Sequence, residues 1–448
     1  MLAPIALLTT LAHAAPSPIV RATLDNGLHV VVEPLTRTDE VALFLKVRVG
    51  SRDERDGERG CAHLFEHLMF EGSRNAPGNA FDTWLTAAGG ANNAWTNADE
   101  TVYFMVFPSG ALDLALFLES DRLAFLDAEI SAGSVANQQD VVLQERDGGY
   151  AEPHGRDFDA LVRLLFPAGH PYHVSTIGTV ADIRGFTPDA TLAFWRRHYR
   201  PDNATLVVVG NVDAERALAQ VRAWFDDVPR AGSPPPSRPS VAEAEAVPPR
   251  PAHGVIEDTV EDRTLHVAWR TVPRAHPDTP ALEVLAEVLS AGRGTRLDDA
   301  LDWEGHLALG TWAFTWPSDI DGALAVGAYS ERTPLRKLLA GIERVLADVI
   351  ARPPDDAELE RARTALTGAE LDRTETPEDR AGLRLACIDH TGDPDCLDAR
   401  IAAWRAVTSE DVARVARTWL VPERRVTLSV VPRGDRGALP GAQPVELP

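Results

Sequence analysis

Apolar positions recur with a period of two in residues 28–33, 42–49 and 101–108, and with a helical period in residues 111–126 and 190–197. In the second run Leu43, Leu45 and Val47 alternate with Phe44, Lys46 and Arg48, the pattern of an antiparallel sheet covered on one face. Runs of strands mixed with long amphipathic helices predict the α+β class. The plan is written twice. Thr187-Pro188-Asp189 opens a helical stretch, followed by Tyr199-Arg200-Pro201 and the apolar run Leu206-Val207-Val208-Val209. Counting 221 residues from Thr187 to Thr408, Thr408-Ser409-Glu410 opens another, followed by Leu420-Val421-Pro422 and the β-branched run 426–431. A capped helix, a proline stop and a strand in the same order, offset by nearly half the chain, point to duplication.

Between the copies, prolines at 234, 235, 236, 239, 248, 249 and 251 predict that residues 231–253 form an extended linker, free of helix and central strand. The expected organisation is therefore two homologous α+β domains. An N-terminal half spans residues 16–230 and a C-terminal half spans 254–448, with a leading segment over 1–15.

The chemistry concentrates in Cys61-Ala62-His63-Leu64-Phe65-Glu66-His67-Leu68-Met69-Phe70, which holds no helix breaker. At about 100° per residue, His63, Glu66 and His67 share one narrow face, while Cys61, Leu64 and Leu68 line another. Imidazoles at i and i+4 can hold one zinc ion, and a carboxylate beside them can act as general base. Three polar groups on one face of an apolar segment need such a reason. Cys61, two residues before His63, points away from that face and belongs to the core.

Charge and cysteine content narrow the setting. The 448 residues suit two domains, and 44 basic against 67 acidic residues give a net charge of −23, which excludes nucleic acid as a partner. No internal run approaches the roughly 18 apolar residues of a membrane span. Residues 2–11 are mostly apolar and Ala12-His13-Ala14 offers a small-x-small cleavage pattern, as in a segment exported to the bacterial periplasm. No basic residue precedes the apolar run, so a cytoplasmic chain is the alternative. Three cysteines make no disulfide framework; Cys387 and Cys396, flanking a turn, are either paired or two buried thiols.

A catalytic zinc ion needs a third protein ligand and an open position. Asp140, Glu145 and Asp147 are equally suited by chemistry alone. His63-x-x-Glu66-His67 with Asp140-Val-Val-Leu-Gln-Glu145 some seventy residues later resembles the metal site of the pitrilysin/insulinase family, which includes the mitochondrial processing peptidases. The stretches Leu24-Asp25-Asn26-Gly27-Leu28, Gly89-Gly90, Asn93-Ala94-Trp95-Thr96, His170-Pro171-Tyr172 with Ile177-Gly178, and Tyr199-x-Pro201-Asp202-Asn203 are also similar to recurring stretches of that family. The resemblance implies two homologous α/β sandwich domains, Glu145 as third ligand, one zinc ion per chain, and a substrate-binding edge strand around Asn93, Ala94 and Trp95. It implies a zinc-dependent endopeptidase acting on peptides or unfolded polypeptides.

Two departures from the family stand out. A further acid is usual seven residues before the third ligand, where this chain has Gln138, a neutral group beside the metal ligands. In the C-terminal half, the family's substrate-binding Arg and Tyr should fall at positions that hold Asp302 and Leu309. The expectation is therefore a metal-bearing subunit whose homologous partner carries the Arg/Tyr pair.

Overall fold

The computed structural model describes residues 19–230 and 232–447, so the leading segment 1–15 lies outside the described residues. The first sheet comprises β1 (Val20–Thr23), β2 (His29–Pro34), β3 (Glu40–Val47), β4 (Ala91–Thr96), β5 (Thr101–Pro108) and β6 (Ala204–Gly210), in the spatial order β1-β2-β6-β3-β5-β4. The second comprises β7 (Ala252–Asp258), β8 (Arg263–Arg270), β9 (Gly310–Pro317), β10 (Gly322–Ser330), β11 (Arg425–Pro432) and β12 (Gln443–Pro444), in the order β9-β10-β8-β11-β7-β12.

Five strands follow one path in both sheets. β6 and β11, the β-branched runs after the proline stops, lie parallel to β2 and β7 and antiparallel to β3 and β8, respectively. Even the register matches: His29 faces Thr205, and His253 faces Thr427. The sixth strand differs, since β1 pairs antiparallel with β2, whereas β12 pairs parallel with β7. The helix predicted over 111–126 runs Leu112–Phe125, and that over 190–197 runs Pro188–His198, capped by Thr187.

Each half lends a helix to the other. The helix Pro377–Thr391 lies on the first sheet, where Ala381 and Leu385 are buried with Val31, Ala42, Phe44 and Val207. The helix Asp157–Leu165 lies on the second, where Ala160, Leu161 and Leu165 are buried with Ala325, Val426 and Leu428. Burial stabilises by roughly 1.5–3 kcal/mol per large apolar side chain, so this exchange couples the halves. It also corrects the half-covered sheet expected from residues 42–49. Phe44 and Lys46 are as buried as Leu43 and Leu45, because the borrowed helix occupies the face that alternation assigned to solvent.

The Pro-rich segment departs from expectation too. Val241–Glu245 is a short helix, since 240–247 is a proline-free window and Ser240 with Glu243 forms a reciprocal cap. Residues 252 and 253 belong to β7, which runs between β11 and β12. The segment is also fastened down: Arg238 pairs with Asp53 at 2.8 Å, and Arg270 donates to the carbonyls of Ala244 and Val247.

Candidate active site

The motif helix, Cys61–Leu68, is fixed at both ends. Glu54 accepts from the Gly60 and Ala62 N–H groups at 2.9 and 2.8 Å, supplying the acceptor that Gly60 lacks as N-cap. Gly60, at φ 94°, passes so close to Gly178, at φ 84°, that a Cβ on Gly178 would lie 2.4 Å from the Gly60 Cα. Both positions therefore require glycine. On the core side Phe65 stacks on Phe194 and Tyr199, and the Tyr103 hydroxyl donates to the Phe65 carbonyl at 3.2 Å. Cys61 is buried there, its thiol pushed well up by burial, as expected of a core residue.

With that face locked inward, His63, Glu66 and His67 turn toward the helix Ala132–Ala151. This helix begins at a Ser131 cap and is pinned where Gln139 donates to the carbonyls of Ile183 and Phe186. It presents Glu145, whose Oε2 lies 3.3 Å from His67 Nε2 and 3.7 Å from His63 Nε2. The two rings are perpendicular with centroids 4.9 Å apart. Among the described residues this is the one group of three His, Cys, Asp or Glu side chains whose donor atoms lie within 4.8 Å of one another. Ligands on a tetrahedral zinc ion are about 3.3 Å apart, given bond lengths near 2.0–2.1 Å, so the set fits the ion.

Protonation suits the same role. Burial, then His67, lowers His63 to about 4, leaving the neutral imidazole that can ligate. The hydrogen bond with His67 is the main cause holding Glu145 below the usual carboxylate range, so it is ionised. Burial raises Glu66, opposed by a hydrogen bond from Thr96. Asp140 and Asp147, indistinguishable from Glu145 by chemistry, point elsewhere: Asp140 pairs with Arg184 and Asp147 with Arg146, both at the surface.

His63, Glu66 and Glu145 open onto a cavity of about 670 Å³. Ala94, Trp95 and Thr96 of β4 form one wall, and Arg274, Trp316, Pro317 and Ser318 of the C-terminal half form another. β4 has a single neighbour, β5, so its other edge offers unpaired backbone donors and acceptors. Asn93 lies outside this wall; it is exposed, and its Oδ1 accepts from the Ala94 N–H. The Gln138 amide donates to Glu71. Sequence reasoning missed Thr96 as the partner of Glu66 and Trp316 and Arg274 as cavity wall. Thr96 stood in a quoted stretch, but the latter two are brought in by the fold alone.

The positions expected to hold an Arg/Tyr pair do not face this cavity. Asp302 lies in the π-helix Asp298–Trp303, and Leu309 is 52% exposed. Arg296 is engaged by Glu358, Arg293 lies over the Trp303 ring, and Tyr329 borders a different cavity.

The chain matches two family models, one described as insulinase (peptidase family M16) over residues 29–170 and one as the peptidase M16 inactive domain over residues 185–366. It is 28% identical to an uncharacterized zinc protease of Streptomyces coelicolor, over 93% of this chain and 90% of that one. It is 29% identical to the zinc protease PqqE of Helicobacter pylori, over 64% of each. Among solved structures, a protease from Helicobacter pylori superposes with a TM-score of 0.84 at 24% identity, covering 93% of this chain and all of that one. The periplasmic protease PqqL from Escherichia coli superposes with a TM-score of 0.76 at 20% identity, covering 93% of this chain and 48% of that one. With the family models, the duplicated fold and the His/His/Glu cluster in agreement, the chain belongs to the insulinase family of peptidases, M16.

Proposed function

We propose that the chain is a zinc-dependent endopeptidase for peptides or unfolded polypeptides, and the metal-bearing subunit of a heterodimer. His63, His67 and Glu145 would hold one zinc ion, which would supply a Lewis acid for peptide hydrolysis. Glu66, its proton affinity raised by burial, accepts the water proton and returns it to the leaving amine. Thr96 steadies that carboxylate. The open edge of β4 pairs with the substrate backbone, which holds an extended peptide with little regard to its sequence. Gln138, through Glu71, sits among the groups behind the ligands and leaves them one negative charge fewer than the family usually has.

The observation that carries this reading is the convergence of two imidazoles and a carboxylate beside a buried glutamate, on a cavity walled by an unpaired strand edge. An export reading is supported by the disulfide between Cys387 and Cys396, a bond that persists in oxidising compartments. Assaying bound zinc and cleavage of an unfolded reporter peptide, with and without a homologous partner chain, tests the proposal. A zinc-loaded protein that cleaves no peptide in either setting would overturn it.

A further inference from the structure

A second cavity, of about 480 Å³, adjoins the first: Phe158 walls both, and its ring packs on Trp316 with centroids 4.6 Å apart. Its floor is built from cross-strand pairs of an aromatic residue with a glycine. Trp312 on β9 faces Gly327 on β10, and Gly310 on β9 faces Tyr329 on β10. A Cβ on Gly327 would lie 2.0 Å from the Trp312 ring, and one on Gly310 would lie 2.7 Å from the Tyr329 ring. Each ring therefore lies flat over the strand opposite, a position that any residue but glycine would block. The two rings are 6.4 Å apart and tilted by 31°, forming a nearly continuous π surface, with Phe314 and Phe158 completing the wall.

The charged groups around this platform have one sign. Asp157 and Asp262 line it with the imidazoles of His154 and His266, and among the described residues no lysine or arginine does. Asp157 Oδ2 accepts from His154 and His266 at 2.8 and 3.0 Å, while its buried Oδ1 has no partner among the described residues. Phe158 is 55% and Phe314 41% exposed, so no other described segment of the chain covers the site. Aromatic faces attract cations, and Asp262, whose carboxylate has no ion pair among the described residues, adds to that attraction.

We propose that this pocket is a subsite for a basic side chain, arginine or lysine, of the peptide held in the adjoining cavity. The proposal rests on the peptidase reading for its ligand, and on the aromatic floor and acidic rim for its chemistry. A guanidinium or ammonium group would lie over Trp312 and Tyr329 with Asp262 beside it, while the peptide backbone continues past Phe158 toward β4.

The test uses the zinc-loaded Glu66→Gln protein, so that peptide is bound and not consumed. The probes are two unstructured peptides of one sequence, one with arginines and one with citrulline in their place, which keeps the shape and removes the charge. By calorimetry the arginine peptide is expected to bind about tenfold tighter, the size of a partly desolvated cation–π contact. Trp312→Leu and, separately, Asp262→Asn should reduce that preference while leaving the citrulline peptide within about twofold. Asp262 is half-buried in the bend before β8, outside the sheet, so its variant keeps the test open should Trp312→Leu fold poorly. Equal binding of the two peptides, a preference that survives both substitutions, or tighter binding of a leucine-substituted peptide would each overturn the subsite. None of these results bears on hydrolysis, which the wild-type cleavage assay reads separately.

Discussion

Lys46, in the middle of the first sheet, is paired with Asp389 on a helix that belongs to the other half of the chain. Only 3% of the Lys46 side chain is exposed, and Glu100, 3.5 Å away, is its other acidic neighbour. Asp389 also receives Arg274, which reaches Asp99 and Asp319 in turn, so the seam between the halves is a buried ionic network. Removing one member of such a network strands the other charges in a low-dielectric setting. Asp389→Ala is therefore expected to destabilise the protein by about 3 kcal/mol, measured as a lower urea midpoint. A midpoint equal to wild type would mean that the network contributes nothing net.

The same pair shows where sequence reading stops. Alternation in residues 42–49 identified a strand, because side-chain direction has a local cause, the pleat of the backbone. Which face is covered has a distant cause, the arrival of the helix Pro377–Thr391, and no periodicity in 42–49 records it. The motif helix was legible for the opposite reason: i and i+4 spacing alone brings His63 beside His67. Glu145 lies between these cases. Chemistry alone offered it alongside Asp140 and Asp147; on the helix Ala132–Ala151 successive positions differ by about 100°, so Asp140 lies about 140° away around it. Its orientation toward the histidines required a second helix in place, and until then resemblance alone favoured it.

Glu145→Gln is expected to lower zinc affinity by at least about tenfold, whereas Asp140→Asn and Asp147→Asn leave it near wild type. Glu145 Oε2 sits 3.3 and 3.7 Å from the two imidazole nitrogens, while Asp140 pairs with Arg184 and Asp147 with Arg146. A carboxylate ligand gives its charge directly to the ion, and an amide cannot replace it. Competition for zinc with a chromogenic chelator reads all three variants. Equal affinities for the Glu145 and Asp140 variants would mean that the third ligand lies elsewhere.

Glu66→Gln should keep zinc at wild-type stoichiometry and lose at least about a hundredfold in kcat, the usual cost of removing a general base. The amide retains the shape and the contact with Thr96 but cannot take a proton from water. Thr96→Val, which leaves the carboxylate and removes its hydrogen bond, should lower kcat more than it raises KM, with Thr96→Ser restoring most of the loss. Turnover near normal in a metal-replete Glu66→Gln protein would sink the role assigned to it.

Cys387 and Cys396 close a loop with a sequence separation of 9, at the end of the helix lent to the first sheet. Closing a loop of this size stabilises by about 2–3 kcal/mol on the chain-entropy account. Cys396→Ser, or reduction under mild denaturant, is expected to lower the unfolding midpoint accordingly. Mass spectrometry after alkylation should find one free thiol, Cys61, in the unfolded untreated protein. Three alkylated cysteines would show that the pair does not form in that preparation.

The purified chain alone is expected to cleave peptides poorly and to gain activity with a homologous partner. Asp302 and Leu309 stand where the family's Arg and Tyr would be, and neither lines the cavity that holds His63 and Glu66. Nor do Arg296, held by Glu358, and Arg293, which lies over Trp303; Arg274 and Arg146 do line it, but Arg274 is bound by Asp99, Asp319 and Asp389 and Arg146 by Asp147. A donor directed at the developing oxyanion contributes about 3 kcal/mol, and two copies of this chain would still lack it. The lone chain should therefore show less than about 1% of the rate reached on mixing with a partner that carries the Arg/Tyr pair. The decisive measurement is kcat/KM on one reporter peptide, before and after titration with that partner. A lone chain that is already fully active, and unchanged on titration, would show that its own cavity supplies the missing donors and that the heterodimer is not needed for catalysis.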